Sequence, residues 1–192
     1  MNEYKTRPTG TVSPMDVEHL RLIRQNVREF VARIGRDYGR AGARLLDIAP
    51  QDHEGARPHF GASVIVETLD IDPAAGATYT ADLCRRNDAI PPASFDLIVC
   101  TEVLEHTLQP FHAVAELHRL LRPGGRVFVS VPLNFRIHGP LPDCWRFTEH
   151  GLRALFQNWE IERLDALETP DRFLMPIHYT LVARRPAEPM TP

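Results

Sequence analysis

Residues 95–132 read FDLIVCTEVLEHTLQPFHAVAELHRLLRPGGRVFVSVP, and this stretch decides the fold. Phe95–Cys100 is an apolar run interrupted only by Asp96, and Arg126–Pro132 is a second such run. Short, nearly continuous apolar runs suit strands covered on both faces, as in a parallel sheet. Between them, Pro110–Leu121 places Phe111, Val114, Leu117, Leu120 and Leu121 on one helical face, and Pro123-Gly124-Gly125 ends that helix. Strand, helix, strand predicts a right-handed parallel crossover.

Working outward, Arg44–Ala49 and Val64–Asp70 are two more buried-strand candidates. Upstream, Ser13-Pro14 with Asp16 forms a helix start: a capping hydroxyl, a proline at the first helical position, and an acid in the first turn. Leu20, Ile23, Val27, Phe30, Val31, Ile34 and Tyr38 follow at steps of three and four, and Gly39 marks the end. Downstream, Thr148–Asn158 predicts a further helix. Trp159–Leu167 and Ile177–Arg184 predict an antiparallel pair at the sheet edge. The segment between Asp70 and Asp82 is too short for a full crossover helix, so a turn is expected there.

The 192 residues set one domain as the expectation. Residues 13–185 form it, divided into an N-terminal helix (13–39), a ligand-binding half (44–132) and a remaining half (133–185). Residues 1–12 read as a flexible arm and 186–192 as a disordered Pro-rich tail. A hydrophobic fraction of 43% and a charged fraction of 24% exclude collagen-like and largely disordered classes. A net charge of −3 argues against a nucleic-acid partner, because phosphate binding concentrates basic residues on one face. Cys84, Cys100 and Cys144 are unpaired by number and spacing, and no zinc-type Cys/His spacing occurs, so no metal is expected. With no apolar signal core and no membrane-length run, a cytoplasmic chain is the expectation.

In an open parallel sheet the ligand sits outside the carboxyl ends of the strands. Here those ends carry Asp47, Asp70, Asp82 and Glu102, an acid at each. The acid after the second strand has a specific use, since one carboxylate accepts both hydroxyls of a ribose. An acid at the next strand end suits an exocyclic amine. Together they describe a pocket for an adenosine. Each acid also has a plainer reading: Asp47 fixes a loop, and Asp72 caps a turn at Pro73.

The order LLDIA, TLDIDP, ADL, FDLIVCTEVLEH, ELHRLLRPGGRVFVSVP, covering residues 44–132, resembles the class I S-adenosylmethionine-dependent methyltransferases, in particular small bacterial members with an L-E-H motif. DCWRFTEHGLRALF (Asp143–Phe156) is also similar to a segment of a subset of them. The resemblance implies an α/β fold: a doubly wound, mostly parallel, seven-stranded Rossmann-like sheet with an antiparallel edge strand and trimmed helices. It implies S-adenosylmethionine as cofactor. Asp47 and the turn Ala49, Pro50 and Gln51 would face its methionine part. Asp70 would hold the ribose, with Ile71 on the adenine; Asp82 would meet the adenine amine, with Leu83 over the ring. Thr101 and Glu102 would line the cleft near the sulfonium, and His106 would face the acceptor.

One departure matters. The family's glycine-rich turn, D-x-G-x-G-x-G, here reads Asp47-Ile48-Ala49-Pro50-Gln51-Asp52-His53-Glu54-Gly55. Glycine permits positive φ and close approach, whereas Pro50 fixes φ and removes a donor. Gln51 or His53 is then expected to supply the lost polar contacts. Methyl transfer runs largely on positioning, with a base where the nucleophile is a hydroxyl. His106, His138, Asp143 and His178 are the candidates for that base. Trp145 and Arg146 read as an acceptor lid or, equally, as packing and an ion pair. The expected activity is methylation of an oxygen or nitrogen on a small metabolite, natural-product-like or sugar-like, with the N-terminal helix either closing over the cleft or packing at a homodimer interface. The alternatives are a degenerate binding module and a non-methylating enzyme on the same fold.

Overall fold

A computed structural model describes residues 12–50 and 55–187. Gln51 and His53 lie outside the described residues, as does nearly all of the expected arm and tail. Helix α1 spans Pro14–Tyr38, and the Ser13 hydroxyl accepts from the Asp16 N–H at 3.1 Å, as the capping pattern requires. Then follow β1 (Arg44–Ile48), β2 (Ile65–Asp70), β3 (Tyr79–Thr80), β4 (Phe95–Thr101), α2 (Pro110–Leu120), β5 (Leu121–Pro132), α3 (Glu149–Leu155), β6 (Glu160–Leu167) and β7 (His178–Arg184).

The seven strands form one sheet in the order β3-β2-β1-β4-β5-β7-β6. β7 runs antiparallel to both neighbours, and the remaining pairs are parallel. Strand alternation sends Leu45, Leu97, Val99 and Phe128 to one face, where Phe30, Val31 and Ile34 of α1 cover them. Leu46, Ile98, Cys100, Val127 and Val129 point to the other face, against Val114, Leu117 and Leu120 of α2 and Leu152 and Leu155 of α3. Both sides of β1, β4 and β5 are therefore dry, which explains their continuous apolar runs; β2, expected to be buried on both faces as well, is only partly covered, with Ile65 53% exposed.

The expected economy between strands is observed. 3₁₀ turns at Arg57–His59 and Pro73–Ala75 stand between β1 and β2 and between β2 and β3. α1 packs closely on the first of these turns. A Cβ on Gly35 would lie 2.0 Å from the His59 carbonyl oxygen, so only glycine allows that approach. β5 begins earlier than its apolar run, at Leu121, because Leu121 pairs with Phe95 before the register shifts around Pro123-Gly124-Gly125. α3 is shorter than the expected Thr148–Asn158: Thr148 is its cap, with its hydroxyl accepting from Gly151 N–H at 3.1 Å.

Candidate active site

The strand order reverses direction between β1 and β4, so the crevice opens at the carboxyl ends of these two strands. Asp47 lies near the end of β1, opposite Val99 of β4. It is 3% exposed, and its Oδ2 accepts the Ala56 N–H at 2.7 Å. Burial pushes its carboxyl up to about 6, against the pull of the Ala56 N–H and Arg57. The rewritten turn keeps the backbone geometry for which glycine is usually needed: Ala49 adopts φ 48° and donates its N–H to the Leu69 carbonyl at 2.7 Å. Gly55 has φ 59° and stands so near that a Cβ there would lie 2.3 Å from Asp47 Oδ2 and 2.6 Å from Pro50 Cβ.

Asp70 ends β2, and its Oδ1 accepts the Asp72 N–H at 2.8 Å. Asp72 caps the Pro73 turn through Ala74 N–H at 2.8 Å, in line with its plainer reading. Ile71 beside Asp70 is 67% exposed, an apolar side chain held open at the crevice edge. Asp82 follows β3; its Oδ1 accepts the Cys84 N–H at 2.8 Å and its Oδ2 lies 3.4 Å from Arg85. Leu83 is buried in the main core.

Thr101 ends β4, and the next residue, Glu102, takes φ 54°. Its Oε1 accepts from the Ser130 hydroxyl at 2.8 Å and lies 2.6 Å from His178 Nε2. His178 Nδ1 lies 2.9 Å from Asn26 Nδ2 on α1. An amide N–H there donates to Nδ1, which leaves the His178 proton on Nε2, facing Glu102. Burial raises the Glu102 carboxyl, but His178 and Ser130 outweigh it and hold the group below its ordinary value. His178, one of the base candidates, is thus fully buried with both ring nitrogens engaged, and its role is to tie α1 to the strand end. Ser130 and Asn26 belong to this network, and nothing in their sequence positions signals it.

A second cluster lies one turn further along the chain. Glu105 is wholly buried, and neither carboxylate oxygen has a hydrogen-bond partner among the described residues. Burial and the charges of Glu102 and Asp143 raise its carboxyl well above the usual range, with Arg146 pulling the other way. Its Oε1 lies 3.8 Å from His106 Nε2 and 3.9 Å from His138 Nε2. The two histidine rings meet edge to face with centroids 4.9 Å apart. His138 comes from the loop between β5 and α3, and folding therefore joins two of the expected catalytic residues. Burial lowers the His138 value below the usual imidazole range, which Asp143 opposes.

Asp143 and Arg146 are paired to each other. Arg146 Nη1 and Nη2 donate to the two Asp143 oxygens at 2.6 and 2.7 Å, and further donors reach the Phe135, Arg136 and Trp145 carbonyls. Burial raises the Asp143 carboxyl, and Arg146 and the His138 N–H more than offset it, leaving it below the ordinary value. The geometry fits the ion-pair reading of Arg146, with Asp143 as its partner. Trp145 anchors by its indole N–H to the Thr107 carbonyl at 2.7 Å, stacks on Phe147, and keeps 41% exposure. Glu105 is the residue that sequence reading passed over. Its signal is an acid following Leu104 with no basic side chain one helical turn away. A groove of about 450 Å³, lined by Tyr38, Gly42, Asp96, Arg122 and Arg126, sits at the amino ends of the strands, away from all of these groups.

The family model of a methyltransferase domain matches residues 18–172. The chain belongs to the class I S-adenosylmethionine-dependent methyltransferases. This methyltransferase is 30% identical over 102 residues to the ubiquinone biosynthesis O-methyltransferase of Proteus mirabilis, covering 53% of the chain and 36% of that relative. It spans less than half the length of the curated relatives it matches. In fold it is similar to the 1,6-didemethyltoxoflavin-N1-methyltransferase of Burkholderia thailandensis, whose structure holds that substrate and S-adenosylhomocysteine (TM-score 0.62, 18% identity, 94% and 93% of the two chains). It is also similar to the [4+2]-cyclase SpnF (TM-score 0.67, 16% identity, 85% and 81%). No helix among the described residues of the methyltransferase is long and apolar enough to cross a membrane.

Proposed function

We propose that this protein transfers the methyl group of S-adenosylmethionine to an oxygen or nitrogen of a small molecule. The observation that carries the reading is Asp70. It stands at the carboxyl end of β2, with one oxygen used by the Asp72 N–H, the other making no hydrogen bond among the described residues, and exposed Ile71 beside it. That is the arrangement a ribose and an adenine ring need.

The residues fit the cofactor at its other end too. Ala49 already holds the positive φ that the missing glycine would supply, and Gly55 stands where a Cβ would collide with Asp47. The buried Asp47 is a carboxylate whose desolvation outweighs the pull of Arg57, so a positively charged ligand in the crevice would stabilise its ionised form. Asp82, which follows β3, would meet the adenine amine. Glu102, fixed by Ser130 and His178, would line the crevice with Thr101. When bound, S-adenosylmethionine supplies a methyl group on an already activated sulfonium. The protein's part is then orientation and handling of the acceptor proton, which falls to the His106–His138 pair. Trp145, held by Thr107 with an exposed face, offers a surface for a planar acceptor. The ubiquinone-pathway relative and the toxoflavin-precursor neighbour act on small molecules by name, which supports that acceptor class.

Calorimetry with S-adenosylmethionine and S-adenosylhomocysteine tests the cofactor half. Micromolar binding that Asp70→Ala weakens by about 10-fold or more is expected, and no binding at millimolar cofactor refutes the proposal. A methyl-acceptor screen read by mass spectrometry tests the transfer. The fold neighbour that is a cyclase makes that second arm necessary, since cofactor binding alone does not establish methylation.

A further inference from the structure

We propose that Glu105, His106 and His138 bind a first-row divalent metal ion such as Zn²⁺. One ligand atom from each of the three lies within 4.8 Å of the others, with Glu105 Oε1 3.8 Å from His106 Nε2 and 3.9 Å from His138 Nε2. The proton positions follow from the partners of the other ring nitrogens. His106 Nδ1 lies 2.9 Å from the Pro142 carbonyl, which can only accept. His138 Nδ1 lies 3.2 Å from Asp143 Oδ2 and 3.3 Å from the Arg136 carbonyl, again acceptors. In each neutral ring the proton therefore sits on Nδ1, and Nε2 presents a lone pair. Two lone pairs and a carboxylate converge with no donor among them.

Glu105 makes the arrangement unusual. It is wholly buried with both oxygens unpartnered among the described residues, a state that is costly for a carboxylate without a cation or a proton. Arg146, whose charge acts on Glu105, spends its donors on Asp143 and three carbonyls. The surroundings match what metal sites use to orient their histidines: a carbonyl behind one ring and a carboxylate behind the other, the carboxylate itself clamped by arginine. Two imidazoles and one carboxylate suit Zn²⁺ and its neighbours and leave coordination positions open. Donors on such an ion lie roughly 3.3 Å apart, so each Glu–His pair closes by about half an ångström. The side chains of His106 and His138 keep 14% and 23% exposure, which gives the ion a route in. On the methyl-transfer reading, an oxygen acceptor would bind at the open positions, and with the ion bound His106 and His138 serve as its ligands in place of acting as the base; the metal-binding test does not depend on that reading.

The test is titration of the metal-stripped full chain with Co²⁺ alone, read by its visible d–d absorption, followed by competition with Zn²⁺. One Co²⁺ per chain, displaced by Zn²⁺, is expected. His138→Ala removes a ligand from a loop and should weaken binding by at least about 100-fold, whereas Asp143→Asn, acting through His138, should cost about 10–100-fold. His112→Ala, at an exposed position on α2, should bind as the parent does. Circular dichroism confirms that each variant is folded, and a Zn²⁺-dependent rise in Tm, present in the parent and absent in His138→Ala, is the second readout. No d–d absorption at millimolar Co²⁺, or undiminished binding by His138→Ala, overturns the proposal and leaves Glu105 as a buried protonated acid.

Discussion

Asp47 offers the most quantitative test. Its carboxyl moves from 3.8 to about 6 because burial disfavours the charged form. By linkage, that difference weakens the folded state by about 3 kcal/mol once the group is ionised. The direction follows from proton counting. Between pH 3.8 and about 6 the folded chain holds a proton that the unfolded chain has lost. Stability from this group is therefore present at low pH and is lost as pH rises through that window. Asp47→Asn keeps an oxygen to accept the Ala56 N–H and removes the titration. Urea unfolding of both proteins without cofactor, at four values from pH 4.5 to 7.5, reads the effect. The stability of the parent relative to the variant should fall by about 2 kcal/mol across that range, with the rest of the change lying below it. Parallel pH profiles, differing by under about 0.5 kcal/mol in slope across the range, would refute the claim that the crevice desolvates this carboxylate.

Gly35→Ala should cost about 3 kcal/mol, or a fall of roughly 10 °C in Tm by calorimetry, because its Cβ would meet the His59 carbonyl at 2.0 Å. Ala49→Gly should be neutral or stabilising by up to about 1 kcal/mol in urea unfolding, since Ala49 sits at φ 48°. Ala49→Val should destabilise by about 1–3 kcal/mol, as a β-branched side chain is strained there. Asp70→Ala should leave Tm within about 2 °C, because Asp70 is a partly exposed strand end, yet weaken S-adenosylhomocysteine binding by about 10-fold or more in calorimetry.

Much of this molecule is readable along the chain because its signals are local. The cap at Ser13, the helical step from Leu20 to Tyr38 and the dry strand runs all depend on near neighbours, and each appears where expected. The early start of β5 was not readable, because pairing of Leu121 with Phe95 is a contact between strands and Pro123-Gly124-Gly125 looks like a terminator. The short α3 is similar: Thr148 reads as helix but serves as a cap.

The site divides along the same line. Residue order by itself determined the acids Asp47, Asp70 and Asp82 as strand-end groups, because strand ends follow from hydrophobic runs and an open parallel sheet aligns them on one edge. It also exposed the loss of glycine at position 49, though only the backbone shows Ala49 accepting the left-handed conformation. What each polar side chain faces was decided by tertiary structure. His178 and Asn26 are 152 positions apart and meet through a hydrogen bond. His138 joins Glu105 and His106 because the β5–α3 loop folds back over the end of β4 and holds them through Pro142 and Asp143. Such a cluster leaves no spacing to read, since its electrostatics arise from burial and convergence, and both exist only once the chain is folded.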